Sequence, residues 1–99
     1  MKPPTKWGST MKIKGELLLR EVAGEIIVIP VGETALRFNG MICLNEVSAL
    51  IWKGLQAEQS REEILESVLN EFDVSREEAS ADLDEFLHQL SENNLLEED

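Results

Sequence analysis

Apolar and polar positions along the chain change period once, near residue 45. Before it they run or alternate at strand spacing; after it they recur every three or four residues. Ile13, Leu17, Leu18, Leu19 and Val22 mark a first strand within residues 12–22. Ala23-Gly24 supplies a tight turn in which Gly24 is free to take a positive φ. Ile26-Ile27-Val28-Ile29 is a row of four β-branched residues and the clearest strand, ended or marked as an edge by Pro30. The two strands are expected to form an antiparallel hairpin. Gly32 to Asn39 is a connection of undefined shape in which Phe38 is expected to face inward, and Asn39-Gly40 is a turn signal. Met41-Ile42-Cys43-Leu44 is a short third strand.

Asn45 offers an N-cap side chain directly after that strand, and Glu46 puts negative charge in a first helical turn. Val47, Leu50, Ile51 and Leu55 follow at helical spacing, so a first helix is expected over 45–55, with Trp52 in the core and Gly54 fraying its end. Two further helices each open on Ser-Arg-Glu-Glu, at Ser60–Glu63 and Ser75–Glu78. That is a capping box, in which Ser accepts from the third helical N–H and Glu reaches back to the cap. The helix from Ser60 to Phe72 has Ile64, Leu65, Val68, Leu69 and Phe72 on one face; the helix from Ser75 to Glu92 has Ala79, Leu83, Phe86, Leu87 and Leu90. Asn93-Asn94 stops it, Leu95-Leu96 folds back on the core, and Glu97-Glu98-Asp99 is a solvated tail. The expected organisation is a loose Pro- and Gly-containing arm over residues 1–11, carrying Trp7, then one domain over 12–96 and an acidic tail over 97–99. The expected class is α+β and winged-helix-like: a three-stranded antiparallel sheet followed by a three-helix bundle.

Charge narrows the uses of such a domain. Residues 1–40 hold six Lys/Arg against four Asp/Glu, a balance of +2, and residues 41–99 hold three against sixteen, a balance of −13, which gives the net charge of −11. The acidic half repels phosphate backbones, so nucleic-acid partners are disfavoured, whereas a basic partner would be drawn in. The plain alternative is a solvated face that keeps the protein in solution. Ninety-nine residues build one modest core. A single cysteine, Cys43, allows no internal disulfide and fits a reducing, cytoplasmic setting. No apolar run is long enough to span a membrane.

Catalytic chemistry finds little footing. His88 is the only imidazole and borders an apolar helix face, where a half-buried surface role is the better reading. Cys43 lies in a strand with no cluster of cations near it in sequence, and reads as a small apolar edge or core residue. Asp82/Asp84 and Glu62/Glu63 are more simply solvated helix carboxylates than acid–base pairs. No phosphate loop, nucleophile set or cofactor motif is present, so neither a cofactor nor a metal is called for. What remains is binding, and the third strand is the place for it, as a sheet edge left open to a peptide from another chain.

The run Val22-Ala23-Gly24-Glu25, then Leu44-Asn45-Glu46, Ile51-Trp52, Ser60 with Glu63-Ile64, and Asp82 with Phe86-Leu87 and Leu90, resembles the pyrroloquinoline quinone biosynthesis protein D family. The resemblance spans about residues 15–96. It implies a three-stranded sheet packed on three helices that acts without catalysis. Such domains hold the leader segment of a ribosomally made precursor peptide and present it to a modifying enzyme, often a radical SAM enzyme. The leader is implied to add as a strand to the third sheet strand and to lie against the third helix. By position this places the guest along Gly40, Met41, Ile42, Cys43, Leu44 and Asn45, with Ala79, Asp82, Leu83, Phe86 and Leu87 as candidate groove residues. The Gly32–Asn39 connection is longer than in the best-known member, so a peptide pathway other than quinone-cofactor synthesis is the expectation.

A guest of about five residues makes about four backbone hydrogen bonds of roughly 1 kcal/mol each, and micromolar binding needs about −8 kcal/mol. Buried apolar side chains must supply the rest, at about 1.5–3 kcal/mol apiece. One or two leader hydrophobes are therefore expected near Leu83, Phe86 or Leu87, flanked by Lys or Arg. Two other readings stand beside this one: a winged-helix transcriptional regulator, and a homodimer joined through the open edge, with a monomer or weak dimer expected otherwise.

Overall fold

The computed structural model describes residues 11–37 and 40–98. In chain order the elements are β1 (Met11–Ile13), β2 (Leu17–Val22), β3 (Glu25–Pro30), α1 (Glu33–Arg37), β4 (Ile42–Leu44), α2 (Glu46–Gln56), α3 (Arg61–Glu71), α4 (Arg76–Glu92) and β5 (Leu96–Glu98). β2, β3 and β4 form an antiparallel sheet in that order, and α2, α3 and α4 pack as the helical layer. This is the α+β, winged-helix-like arrangement the pattern implies.

The hairpin follows from its turn. Ala23 and Gly24 both take positive φ, 53° and 83°, the backbone of a type I′ turn, and Val22 pairs with Glu25 across it. That register sets Leu17, Leu19 and Glu21 level with Pro30, Val28 and Ile26, and Val28 and Ile26 level in turn with Ile42 and Leu44 of β4. Val28, Ile42 and Leu44 are buried and join the helices. The other face carries Leu18, Arg20, Ile27, Ile29 and Cys43, by the two-residue alternation of a strand.

Caps fix the helices where the sequence signals them. Asn45 Oδ1 accepts from Ser48 N–H at 2.8 Å. Ser60 Oγ accepts from Glu63 N–H at 3.2 Å while Glu63 Oε1 accepts from Ser60 N–H at 2.9 Å, a complete capping box. At Ser75 the forward bond to Glu78 N–H forms, at 3.1 Å. α4 ends on Asn94 in the left-handed region, φ 60°, with Leu95 N–H donating to Leu90 O at 2.8 Å.

Five features differ from the sequence expectation. The first strand is broken in two at Gly15, whose φ of 98° turns the chain. β1, ahead of the break, pairs antiparallel with β5, so Glu97 and Glu98, expected as part of a solvated acidic tail, lie in a strand. Met11, expected as the end of the arm, is 1% exposed in the core; the arm's residues 1–10 and Trp7 lie outside the described residues, as do Phe38, Asn39 and Asp99. The Gly32–Asn39 connection holds a short helix, α1, docked by its buried Thr34, whose Oγ1 accepts from Glu16 N–H at 2.7 Å. Gly54, finally, is buried within α2 and frays nothing: a Cβ there would stand 2.8 Å from Ile64 Cγ1, so its bareness lets α2 and α3 approach closely.

Candidate functional site

β4 is the last strand of its sheet. It is hydrogen-bonded to β3 on one side, and among the described residues no strand lies on the other. In an antiparallel strand successive residues turn their N–H and C=O alternately toward and away from the partner, so part of this short main chain faces outward. Its side chains are sorted by the same alternation. Ile42 and Leu44 are buried, Cys43 is exposed, and Met41, just before the strand, is 61% exposed. Gly40 and Asn45 are exposed at the two ends.

Two depressions flank the end of β4 and share Asn45. One, of about 220 Å³, lies between the start of α2 and the outer side of α4, and is lined by Asn45, Val47, Ser48, Ile51, Asp82, Glu85, Phe86 and Gln89. The other is open at the β3–β4 end and is lined by Gly24, Glu25, Ile26, Cys43, Leu44, Asn45 and Glu46.

The five helical residues singled out from the sequence separate here. Ala79, Leu83 and Leu87 are 1%, 0% and 0% exposed; they belong to the core and hold α4 in place. Asp82 and Phe86 line the first depression. Val47, Ser48, Ile51, Glu85 and Gln89 were not singled out. Their signal was available in the spacing: 82, 85, 86 and 89 follow the i, i+3, i+4, i+7 rule of one helix face, and 47, 48 and 51 do the same on α2. The apolar stripe next to it drew the eye to the core face instead.

Electrostatics divide α4 lengthwise. Arg61 Nε donates to Asp84 Oδ1 at 2.9 Å and its Nη2 donates to Ser80 Oγ at 2.7 Å, which pins α4 to the start of α3. Arg76 meets Glu62 and, at 3.4 Å, Glu66. Asp82 and Glu85, on the depression side, have no hydrogen-bond or ion-pair partner among the described residues. His88 is exposed and lies 2.9 Å from Glu92, outside both depressions. Trp52 is 1% exposed, a core residue. No group of three or more His, Cys, Asp or Glu among the described residues is placed to hold a metal, and no helix is long and apolar enough to cross a membrane.

A family model described as coenzyme PQQ synthesis protein D (PqqD) matches residues 18–96. Two solved structures are similar to the chain. "TbiB1 in Complex with the TbiA(beta) Leader Peptide" is 26% identical, with a TM-score of 0.70 over 87% of this chain and 94% of that one. "Lasso peptide synthetase B1 complexed with the leader peptide" is 18% identical, with a TM-score of 0.70 over 88% of this chain and 96% of that one; at that identity it shows a shared fold. Among curated proteins none matches the chain.

Proposed function

The chain belongs to the coenzyme PQQ synthesis protein D family, and on that premise we propose that it captures the leader segment of a ribosomally made precursor peptide without itself catalysing a reaction. The leader adds as a strand along Gly40–Asn45, on the free side of β4, and its side chains reach toward α4 at Asp82 and Phe86. It is then presented to a modifying enzyme, with a radical SAM enzyme as the first candidate. The observation that carries this reading is the side of β4 that has no strand partner among the described residues, next to depressions that meet at Asn45. The similar structure at 26% identity is a complex with a leader peptide, which supports the same reading.

Backbone pairing is the source of affinity in strand addition, and side-chain pockets beside the strand are the source of selectivity. With Leu83 and Leu87 withdrawn into the core, apolar guest side chains have the Ile26–Leu44 end of the sheet to rest on. The −13 balance of residues 41–99 favours a guest with basic residues and opposes the winged-helix DNA-binding alternative.

The direct test is titration of the 15N-labelled protein with the leader of a precursor peptide encoded beside it. Amide shifts concentrated in residues 40–45 and along the Asp82–Gln89 side of α4 are the expected outcome. Shifts confined to α3, or retention on a DNA column at low salt with no response to the peptide, would remove the proposal.

A further inference from the structure

We propose that the depression between α2 and α4 is a subsite for one Lys or Arg side chain of the captured peptide, its stem lying over Phe86 and Ile51 and its cation held between Asp82 and Glu85. The inference rests on the peptide-capture reading and adds to it the identity of one side chain and the place where it goes.

The lining has two parts. Val47, Ile51 and Phe86 are apolar, and Phe86 is 6% exposed; Asp82, Glu85 and Gln89 are exposed on α4, with Asn45 and Ser48 opposite. An apolar guest side chain would strip water from two unpaired carboxylates and return nothing to them. A guest carboxylate would meet the like charge of Asp82 and Glu85, and one N–H at the start of α2, that of Ser48, is already taken by Asn45 Oδ1. A long aliphatic stem with a cationic head satisfies both parts of the lining.

Among the described residues, no cation of the protein lines the depression. Residues 41–99 contain Lys53, Arg61 and Arg76. Arg61 is bound to Asp84 and Ser80, Arg76 to Glu62 and Glu66, and none of the three lines the depression. Acids that α4 needs for its own packing are therefore neutralised from within, and Asp82 and Glu85 are left for a cation from outside. Asn45 follows Leu44 directly, so the guest residue that passes the end of β4 is the one placed to reach the depression.

The probe is a displayed library of random dodecapeptides selected on the full chain, first wild type and then Asp82→Asn/Glu85→Gln. Bound peptides should share Lys or Arg at one position, fixed relative to the segment that shifts the amides of Ile42–Asn45. Alanine at that position and the double variant should each lower affinity about tenfold, with the two changes together costing little more than either alone, the mark of a direct contact. The exposed carboxylates have no partner to lose among the described residues, so an unchanged circular-dichroism melt is the control for folding. Asp82→Lys/Glu85→Lys should shift the selected residue from basic to acidic. Binders with no basic preference, or a preference that survives in the double variant, would overturn the subsite and leave peptide capture standing. A library that yields no binders at all would overturn peptide capture as well.

Discussion

Among the described residues the three-stranded sheet ends on two strands with one open side each, β2 and β4, and the two are built differently. β2 is six residues long and carries Arg20 and Glu21 in its middle, with Glu16 just before it and Glu25 across the turn. β4 is three residues long, and from Gly40 to Asn45 there is no charged residue. Charged side chains on an edge are a common protection against pairing with a foreign strand, because the incoming chain must bury or match them. β2 has that protection although it exposes Leu18 and Val22, at 44% and 55%. β4 lacks it. Shortness limits how much uncontrolled pairing β4 invites, while the adjoining depressions offer side-chain contacts that only a suitable guest supplies. An edge can thus be left open for use if selectivity is placed beside it rather than on it.

The largest expected effect separates the two strands by their anchoring. At Gly15 the chain leaves the β1 ladder and enters β2 with φ 98°, and a Cβ there would come within 2.6 Å of Thr34 Oγ1. That hydroxyl is the acceptor for Glu16 N–H. Gly15→Ala therefore combines left-handed strain with loss of a partly buried hydrogen bond, for a destabilisation of about 2–4 kcal/mol in urea unfolding. Where the variant is still folded, affinity for a leader peptide should be unchanged, because β4 is held through β3, Ile42 and Leu44. A parallel fall in affinity would show that the edges are not independent.

Next in size is the open edge itself. In hydrogen exchange, the outward amides of β4 should be fast in the free protein and slowed at least tenfold by guest, with the outward amides of β2 fast in both states. Proline at the β4 position with the fast amide removes a donor the guest needs, and binding should fall more than tenfold, about 1.4 kcal/mol or more. Protection appearing on β2 instead would reassign the site. Smaller again is the effect of uncovering β2. Arg20→Thr with Glu21→Thr removes its charges and keeps strand propensity, so light scattering should detect stronger concentration-dependent self-association than in the wild type. If the variant associates no more than the wild type at high concentration, charge is not what protects that edge.

Much of this was readable in the chain and some was not, for physical reasons. Helix starts were legible because caps are local: Asn45, Ser60 and Ser75 each bind an N–H three residues on. The hairpin was legible because Ala23-Gly24 separates two apolar runs by two residues. The β1–β5 pairing was not, since it joins residues more than eighty apart and three-residue strands have no periodicity to read. Gly54 looked like a helix breaker because propensity is a local property and the close approach of Ile64 is not. At the site, the order Leu44-Asn45-Glu46 located the edge. The face of α4 beside it was obscured, because Leu83, Leu87 and Phe86 form one stripe in sequence whereas only Phe86 reaches the depression.

The smallest effect concerns the turn that joins the protected edge to the strand behind the open one. Ala23 takes φ 53° at the first central position of the type I′ turn. An L-residue with a Cβ is strained there by about 1 kcal/mol, whereas Asn tolerates the left-handed region and is favoured in this turn. Ala23→Asn should therefore stabilise the protein by about 0.5–1 kcal/mol in urea unfolding. The turn fixes the pairing of Val22 with Glu25, and through it the level at which Ile26 and Val28 meet Leu44 and Ile42. A firmer turn holds that register without adding charge or bulk near β4. Leader affinity should accordingly stay within twofold of wild type while stability rises. A gain in affinity that tracks the gain in stability would mean that the open edge samples more than one register in the free protein, and that guest binding selects among them.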